Sequence, residues 1–331
     1  MVRALRLHEP GDLRLHEESP PTPDTGEVLL RVTAVGLCGS DRHWFMEGGI
    51  GDAVLTRPLV LGHEFVGTVA SGQRVGERVV ADPAISCGCC QPCLEGNEHL
   101  CLKSRFAGHG TTDGALRSLM AWPERLLHAL PEVIDDREGA LLEPLGVALH
   151  ALDIGQARPG MSASVYGCGP IGLLLIQLLA MIGARTIVAT DRLPHRIAAA
   201  KAMGATHALK ADTAAAMSET HPARARAQVQ ALIDQLTEGL GVDIAFEAAG
   251  DNTAVETAII TVRPGGRIVL VGIPAEDRTC FAASIARRKE LTISLSRRMR
   301  PTDLPRAIHL AATGRLQLGS LVTDRYELAE G

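Results

Sequence analysis

Ala163-Ser-Val-Tyr-Gly-Cys-Gly-Pro-Ile-Gly172, followed by Thr186-Ile-Val-Ala-Thr-Asp191, is the stretch that decides the fold. Ala163 to Tyr166 reads as a short apolar strand. Gly167, Cys168, Gly169, Pro170, Ile171 and Gly172 form a G-x-G-x-x-G turn, and an apolar helix starts at Ile171. Arg185 to Ala189 reads as the next strand and runs on to Asp191, about 20 residues beyond the turn. Strand, glycine turn, helix and a terminal acid in that order are the signature of a dinucleotide site. Gly167 permits the tight turn, Gly169 lets backbone approach a pyrophosphate, and Gly172 lets helix and strand pack closely. The helix start offers free N–H groups to the phosphates. Asp191 suits the adenosine ribose hydroxyls and repels a 2′-phosphate, which favours NAD over NADP. Arg192 argues the other way, because an Arg nearby can accept that phosphate, and Arg196 is a further candidate contact to the ribose or adenine; as solvated surface charges both argue nothing.

Outward from this unit the alternation continues. Arg196 to Met203 predicts a helix stopped by Gly204, and Val242 to Phe246 and Arg267 to Val271 predict two more strands. Strands alternating with helices imply a doubly wound parallel sheet of the Rossmann kind. Asp212 to Gln230, rich in Ala and Arg, predicts a mostly helical segment. Residues 1 to about 140 have a different texture. Val28 to Val35 alternates, Val66 to Val69 and Glu77 to Val80 are short strands, and Gly and Pro punctuate densely. The chain therefore reads as α/β with a separate β-rich domain.

The 331 residues suit two domains. At 46% hydrophobic and 21% charged the chain can bury large cores. A net charge of −5, with no basic block, speaks against a nucleic-acid partner. The longest apolar stretch, Ile171 to Ile182, is too short for a bilayer and predicts a buried helix. Charges at Arg3, Arg6 and Glu9 speak against a signal peptide, so the expectation is a cytoplasmic protein with no membrane association.

Five of the eight cysteines fall between Cys87 and Cys101. In a large chain without an export signal this favours metal over disulfides. Cys87, Cys90, Cys93 and Cys101 offer four thiolates, two intervals being C-x-x-C, which suits one tetrahedral Zn²⁺. Choosing Cys90 over Cys89 rests on keeping those intervals. Such a closed site is structural, and it would hold a loop of about residues 85–103 that has no core of its own. Separately, Cys38 and the pair His63-Glu64 are ligand types that zinc accepts. With an open position they would make a Lewis-acid site.

These residues lie in a frame that resembles the zinc-containing medium-chain alcohol dehydrogenases, nearest the sorbitol (polyol) dehydrogenase branch. The carrying stretches are Gly36-Leu-Cys-Gly-Ser-Asp-Arg-His43, Pro58-Leu-Val-Leu-Gly-His-Glu-Phe-Val-Gly67, the cysteine lobe, Leu142-Glu-Pro-Leu-Gly-Val-Ala-Leu-His150, the glycine turn and Lys289-Glu-Leu-Thr-Ile293. The resemblance implies a GroES-like catalytic domain (1–145 and 296–331) and a Rossmann domain (146–295). It implies Cys38 and His63 as catalytic zinc ligands, with Glu64 as a direct or exchangeable one and Glu143 binding directly or through water. It implies that Asp41 orients His63 and that Ser40 and His43 relay the proton. Trp44 and Arg298 would face the substrate, and Val271-Gly272 the nicotinamide amide. The activity implied is NAD-linked oxidation of a secondary alcohol, a polyol or sugar-derived alcohol, by a homodimer or homotetramer. Alternatives are threonine, a sugar acid such as idonate, or a non-catalytic NAD-binding role. The stretch from Val69 to Glu77 is shorter than the family pattern. Leu295 and Met299 replace a usual Gly and aromatic. The helix and closing strand that usually follow Asp324-Arg-Tyr-Glu-Leu328 are not in the sequence, which ends at Gly331.

Overall fold

The computed structural model describes residues 1–211 and 220–330. The chain divides into two compact units, Met1–Gly146 with Arg298–Gly331, and Val147–Arg297.

In the first unit an antiparallel sheet of five strands runs in the order Leu119–Pro123, Glu27–Gly36, Glu64–Val69, Arg78–Ala81 and Leu127–Ala129. The alternation in Val28 to Val35 sends Val28 and Leu30 into a core with Phe65, Val79, Met120 and Trp122. Phe65 and Trp122 meet edge to face at 5.7 Å, and the Trp122 indole N–H donates to the Asp82 carbonyl. The short Val69 to Glu77 connection is a tight reversal in which the Val69 and Gly76 N–H groups donate to Glu77 and Val69 carbonyls. One register pair positions the chemistry: Gly36 lies opposite Glu64. Cys38, two residues past the end of one pair member, is thereby brought beside His63, one residue before the other.

In the second unit six parallel strands stand in the order His207–Lys210, Thr186–Asp191, Ser162–Tyr166, Val242–Glu247, Val262–Leu270 and Thr292–Leu295. This is the doubly wound arrangement expected of a dinucleotide-binding fold. The helix Pro170–Met181 is apolar except for Gln177 and buried from Gly172 through Leu179, as such a helix must be. Thr220–Leu236 is helical, while 212–219 of the segment expected to be helical lie outside the described residues. Lys289, in the last quoted stretch, turns its ammonium inward. It donates to the carbonyls of Ile259, Ile260 and Val262, where the helix Asn252–Thr261 ends. A cation there meets the negative end of the helix and satisfies carbonyls that have no intrahelical partner. No helix among the described residues is long and apolar enough to cross a membrane.

Candidate active site

The helix Gly39–Glu47 starts immediately after the strand Glu27–Gly36, with Cys38 as its N-cap. Three ligand-type atoms from Cys38, His63 and Glu64 lie within 4.8 Å of one another. Asp41, 4% exposed, holds them in place from behind. One carboxylate oxygen accepts the Cys38 N–H at 3.0 Å, and the other accepts the Gly62 N–H at 3.1 Å. That second oxygen also stands 3.5 Å from His63 Nδ1. Facing Asp41 with Nδ1 leaves His63 Nε2 for a metal, the usual arrangement of a carboxylate-oriented ligand histidine. Ser40 Oγ lies 3.4 Å from that Nε2. Gly36 makes room for the third group, since a Cβ there would fall 2.2 Å from Glu64 Oε2.

Glu143 sits in the first turn of the helix Leu142–Gly155 and is as buried as Glu64. It is not one of the three convergent groups, but its charge reaches them. Burial, and then the Glu143 charge, push the Glu64 carboxyl up to about 8. Burial raises Glu143 to about 7, with Asp82 and Asp41 adding to it and His63 opposing. Burial works against an imidazolium at His63, yet Asp41 and Cys38 outweigh it and hold its pKa well above the ordinary value. A dry cluster with this many acids and one thiol takes up protons when alone. A divalent cation is the other way to neutralise it, so the donor set fits a metal.

Of the expected substrate contacts, Arg298 adopts a left-handed backbone (φ +57°) and donates to Ser104 Oγ. Its guanidinium lies 4.2 Å over the Phe106 ring, and that ring stands 5.2 Å from His63. Phe106, at the end of the two-residue strand Arg105–Phe106, thus links the two, a role that nothing in the sequence around it signals. Trp44 departs from expectation. It is 1% exposed and packs with Leu7, Leu59 and Leu61, so it belongs to the core and not to a pocket wall. The reason is its helical position three residues after Asp41, on the same inward face. His43, one residue earlier, is hydrogen-bonded through Nδ1 to Glu47 at 3.0 Å.

Cys87, Cys90, Cys93 and Cys101 form a second convergent group, again within 4.8 Å. Cys90 caps the short helix Gln91–Leu94, none of whose residues is buried. Cys101, 4% exposed, accepts the N–H groups of Cys87 and Lys103. Cys89 is exposed and outside the four. Thiols that converge unpaired in a loop without an apolar core fit a four-thiolate zinc.

In the second unit Gly167 has φ +95°, and a Cβ on Gly172 would lie 1.9 Å from the Gly167 carbonyl oxygen. Both glycines are therefore obligatory. A Cβ on Gly169 would meet only Arg196 Nη1 at 4.0 Å, so the backbone before Pro170, Ile171 and Gly172 opens onto free space. A cleft of about 290 Å³ lies there, lined among others by Gly167, Gly169, Asp191, Arg192, Arg196 and Arg226. Asp191 accepts the Cys168 and Leu193 N–H groups, with Arg196 at 3.6 Å. Val271 and Gly272 follow the strand Val262–Leu270, and their N–H groups donate to the Glu247 carbonyl at 2.8 and 3.0 Å. Glu247 itself ends a strand as Asp191 does. Its carboxylate accepts the Ala249 and Gly250 N–H groups, and burial pushes it up to about 6. An acid ending an apolar strand and followed by Ala-Ala-Gly is a signal that could have marked it.

A metal-type site of thiolate, imidazole and carboxylate in one unit, in a chain whose other unit is built for a dinucleotide, defines a metal-dependent dehydrogenase. Residues 170–313 match the zinc-binding dehydrogenase family and residues 24–132 the alcohol dehydrogenase GroES-like domain. The chain belongs to the zinc-containing medium-chain alcohol dehydrogenases, oxidoreductases that act on CH–OH groups. It is 34% identical to the sorbitol dehydrogenase of Bacillus subtilis (strain 168), over 99% of this chain and 91% of that protein. Among solved structures it is similar to an Escherichia coli short chain alcohol dehydrogenase complexed with NADH (TM-score 0.85, 28% identity, 99% and 92% covered). It is also similar to the L-idonate 5-dehydrogenase of Escherichia coli (TM-score 0.82, 26% identity, 96% and 88% covered).

Proposed function

We propose that this enzyme oxidises a secondary alcohol of a polyol or sugar-derived alcohol to the ketone, with hydride passing to NAD⁺. The observation that carries the reading is the convergence of Cys38, His63 and Glu64, tied together by Asp41. Cys38 and His63 would hold the catalytic zinc, with Glu64 as a direct or exchangeable ligand and Glu143 binding directly or through water. Zinc bound there supplies Lewis-acid polarisation of a substrate hydroxyl, lowering its pKa toward neutrality. Ser40 Oγ takes the hydroxyl proton and His43, three residues on along the same helix face, passes it to solvent. Phe106 and Arg298 form the wall that receives the rest of the substrate. Gly167, Gly169, Pro170, Ile171 and Gly172 cradle the pyrophosphate, Asp191 takes the adenosine ribose, Arg192 and Arg196 border it, and Val271-Gly272 meet the nicotinamide end. Cys87, Cys90, Cys93 and Cys101 hold a structural zinc. Eight free thiols suit a reducing, cytoplasmic setting. The edge strand Thr292–Leu295, with Leu295 75% exposed, supports assembly of copies edge to edge into a dimer or tetramer.

The test is NADH formation across a panel of polyols, sugar acids, threonine and simple secondary alcohols, together with zinc content. Polyols are expected to give the highest kcat/KM. A zinc-free preparation that turns over the panel as fast as the loaded enzyme would discard the metal reading. A second reading, a sugar-acid substrate, is favoured by one feature: Arg298 offers a guanidinium whose charge reaches Glu143 and Asp82 in the same unit. The panel decides between them.

Asp41→Asn tests the tie directly. One face of the amide presents N–H to a backbone donor that now meets a carboxylate oxygen, and the charge facing His63 Nδ1 is lost. A fall of about 10- to 100-fold in kcat/KM, with weakened zinc retention, is expected. Activity and zinc content equal to the parent would remove Asp41 from the site.

A further inference from the structure

The cysteine lobe carries one thiol more than a tetrahedral metal needs. Cys89 is exposed, and its Sγ lies 3.7 Å from Sγ of Cys87. Gly88 between them takes the left-handed backbone (φ +68°) that folds this Cys-Gly-Cys turn back on itself. Both thiols therefore stand on one side of the turn, one within the group of four and the other at the surface. Cys90 and Cys93 are closer, at 3.4 Å, but both are in the group of four and partly buried, so neither is the thiol that solvent meets first. Little apolar packing holds the lobe: its short helix buries no residue, and the turn Glu98–Leu100 buries only His99.

We propose that Cys89 is an oxidative modification site that reacts with hydrogen peroxide and transfers the oxidation to Cys87, forming a Cys87–Cys89 disulfide and opening the four-thiolate site. The inference rests on the structural-zinc reading above. In the first step the Cys89 thiolate attacks one oxygen of hydrogen peroxide. The O–O bond breaks, a sulfenic acid forms on Cys89, and the departing hydroxide takes a proton from solvent to leave as the first water. In the second step the Cys87 thiolate, detached from the metal, attacks the Cys89 sulfur. The S–O bond breaks, and the departing hydroxide takes a proton from solvent to give the second water. Two sulfurs are oxidised to a disulfide and one peroxide is reduced to two waters. The turn closes the two sulfurs from 3.7 Å to the bonded distance of about 2.05 Å by side-chain rotation. Three thiolates remain, and a metal held by three ligands in a loop without a core is released.

The experiment treats the zinc-loaded enzyme with hydrogen peroxide. Zinc release is followed with a chromogenic chelator, and the disulfide is mapped by mass spectrometry of the peptide that spans Cys87 and Cys89. The parent is expected to lose one zinc in step with a Cys87–Cys89 crosslink. Cys89→Ser, a change at an exposed position outside the four, is expected to keep its zinc and release it at least about tenfold more slowly. Release from Cys89→Ser at the parental rate, or a first crosslink between Cys90 and Cys93, would overturn the proposal. Zinc content before peroxide separates the two readings. A lobe without zinc would refute the structural-metal assignment, while the peptide map still reports whether Cys89 and Cys87 are the pair that oxidises.

Discussion

His63→Ala is expected to lower turnover by on the order of a thousandfold or more, the loss of several kcal/mol of Lewis-acid stabilisation. His63 is one of three convergent ligand groups and the only nitrogen among them. Without it a cation would keep one thiolate and one carboxylate, and Asp41 would face a hole where it faced Nδ1. Zinc content is expected to fall by the catalytic ion alone, since the four thiols of the lobe are a separate group. Binding of NADH, followed by its fluorescence, is expected to persist because the glycine turn and Asp191 belong to the other compact unit. A variant that retains most of its kcat/KM, or that loses NADH binding together with activity, would contradict these assignments. Circular dichroism and the melting curve separate loss of chemistry from loss of fold.

Cys101→Ala is expected to act on stability first. Cys101 is the buried member of the lobe's four thiols, and its sulfur also accepts two backbone N–H groups. Removing it leaves three thiolates, two donors without an acceptor, and a loop whose helix buries nothing. Local unfolding costs on the order of 3 kcal/mol, which for a unit of this size lowers Tm by roughly 10 °C. Zinc content should fall by the structural ion, and the lobe should become the first site of proteolytic cleavage. Unchanged melting and zinc content would exclude a structural metal there.

Much of the second unit is legible residue by residue. The strands at 163–166, 185–191, 242–246 and 267–271 occur where apolar runs and punctuation predict them, with ends shifted by a few residues. Gly167 and Gly172 are required for the reasons that their spacing implies, a positive φ and a close approach. The cysteine spacing likewise picks out the four thiols that converge, and leaves Cys89 aside. Trp44 shows where such reading stops. An aromatic after a site helix can line a pocket or fill a core, and only the packing of Leu7, Leu59 and Leu61 around it decides for the core. Phe106 lies in a two-residue strand, Arg105–Phe106, too short to show a period, yet it packs against His63 and carries Arg298. Glu143 raises the Glu64 carboxyl, some eighty residues away in the chain, only because both are buried in one unit.

Local chemistry thus settles where strands, turns and helix starts fall, because backbone conformation depends on a residue and its few neighbours. Ligand types and short spacings belong to the same level, and they identify zinc and a dinucleotide before any coordinates. The assembly of the site is a different matter. Cys38 meets His63 because Gly36 pairs with Glu64 in the sheet and because Asp41 binds the backbone on both sides. Register, burial and charge coupling arise from contacts between residues far apart in the chain, and only the folded packing brings them within range.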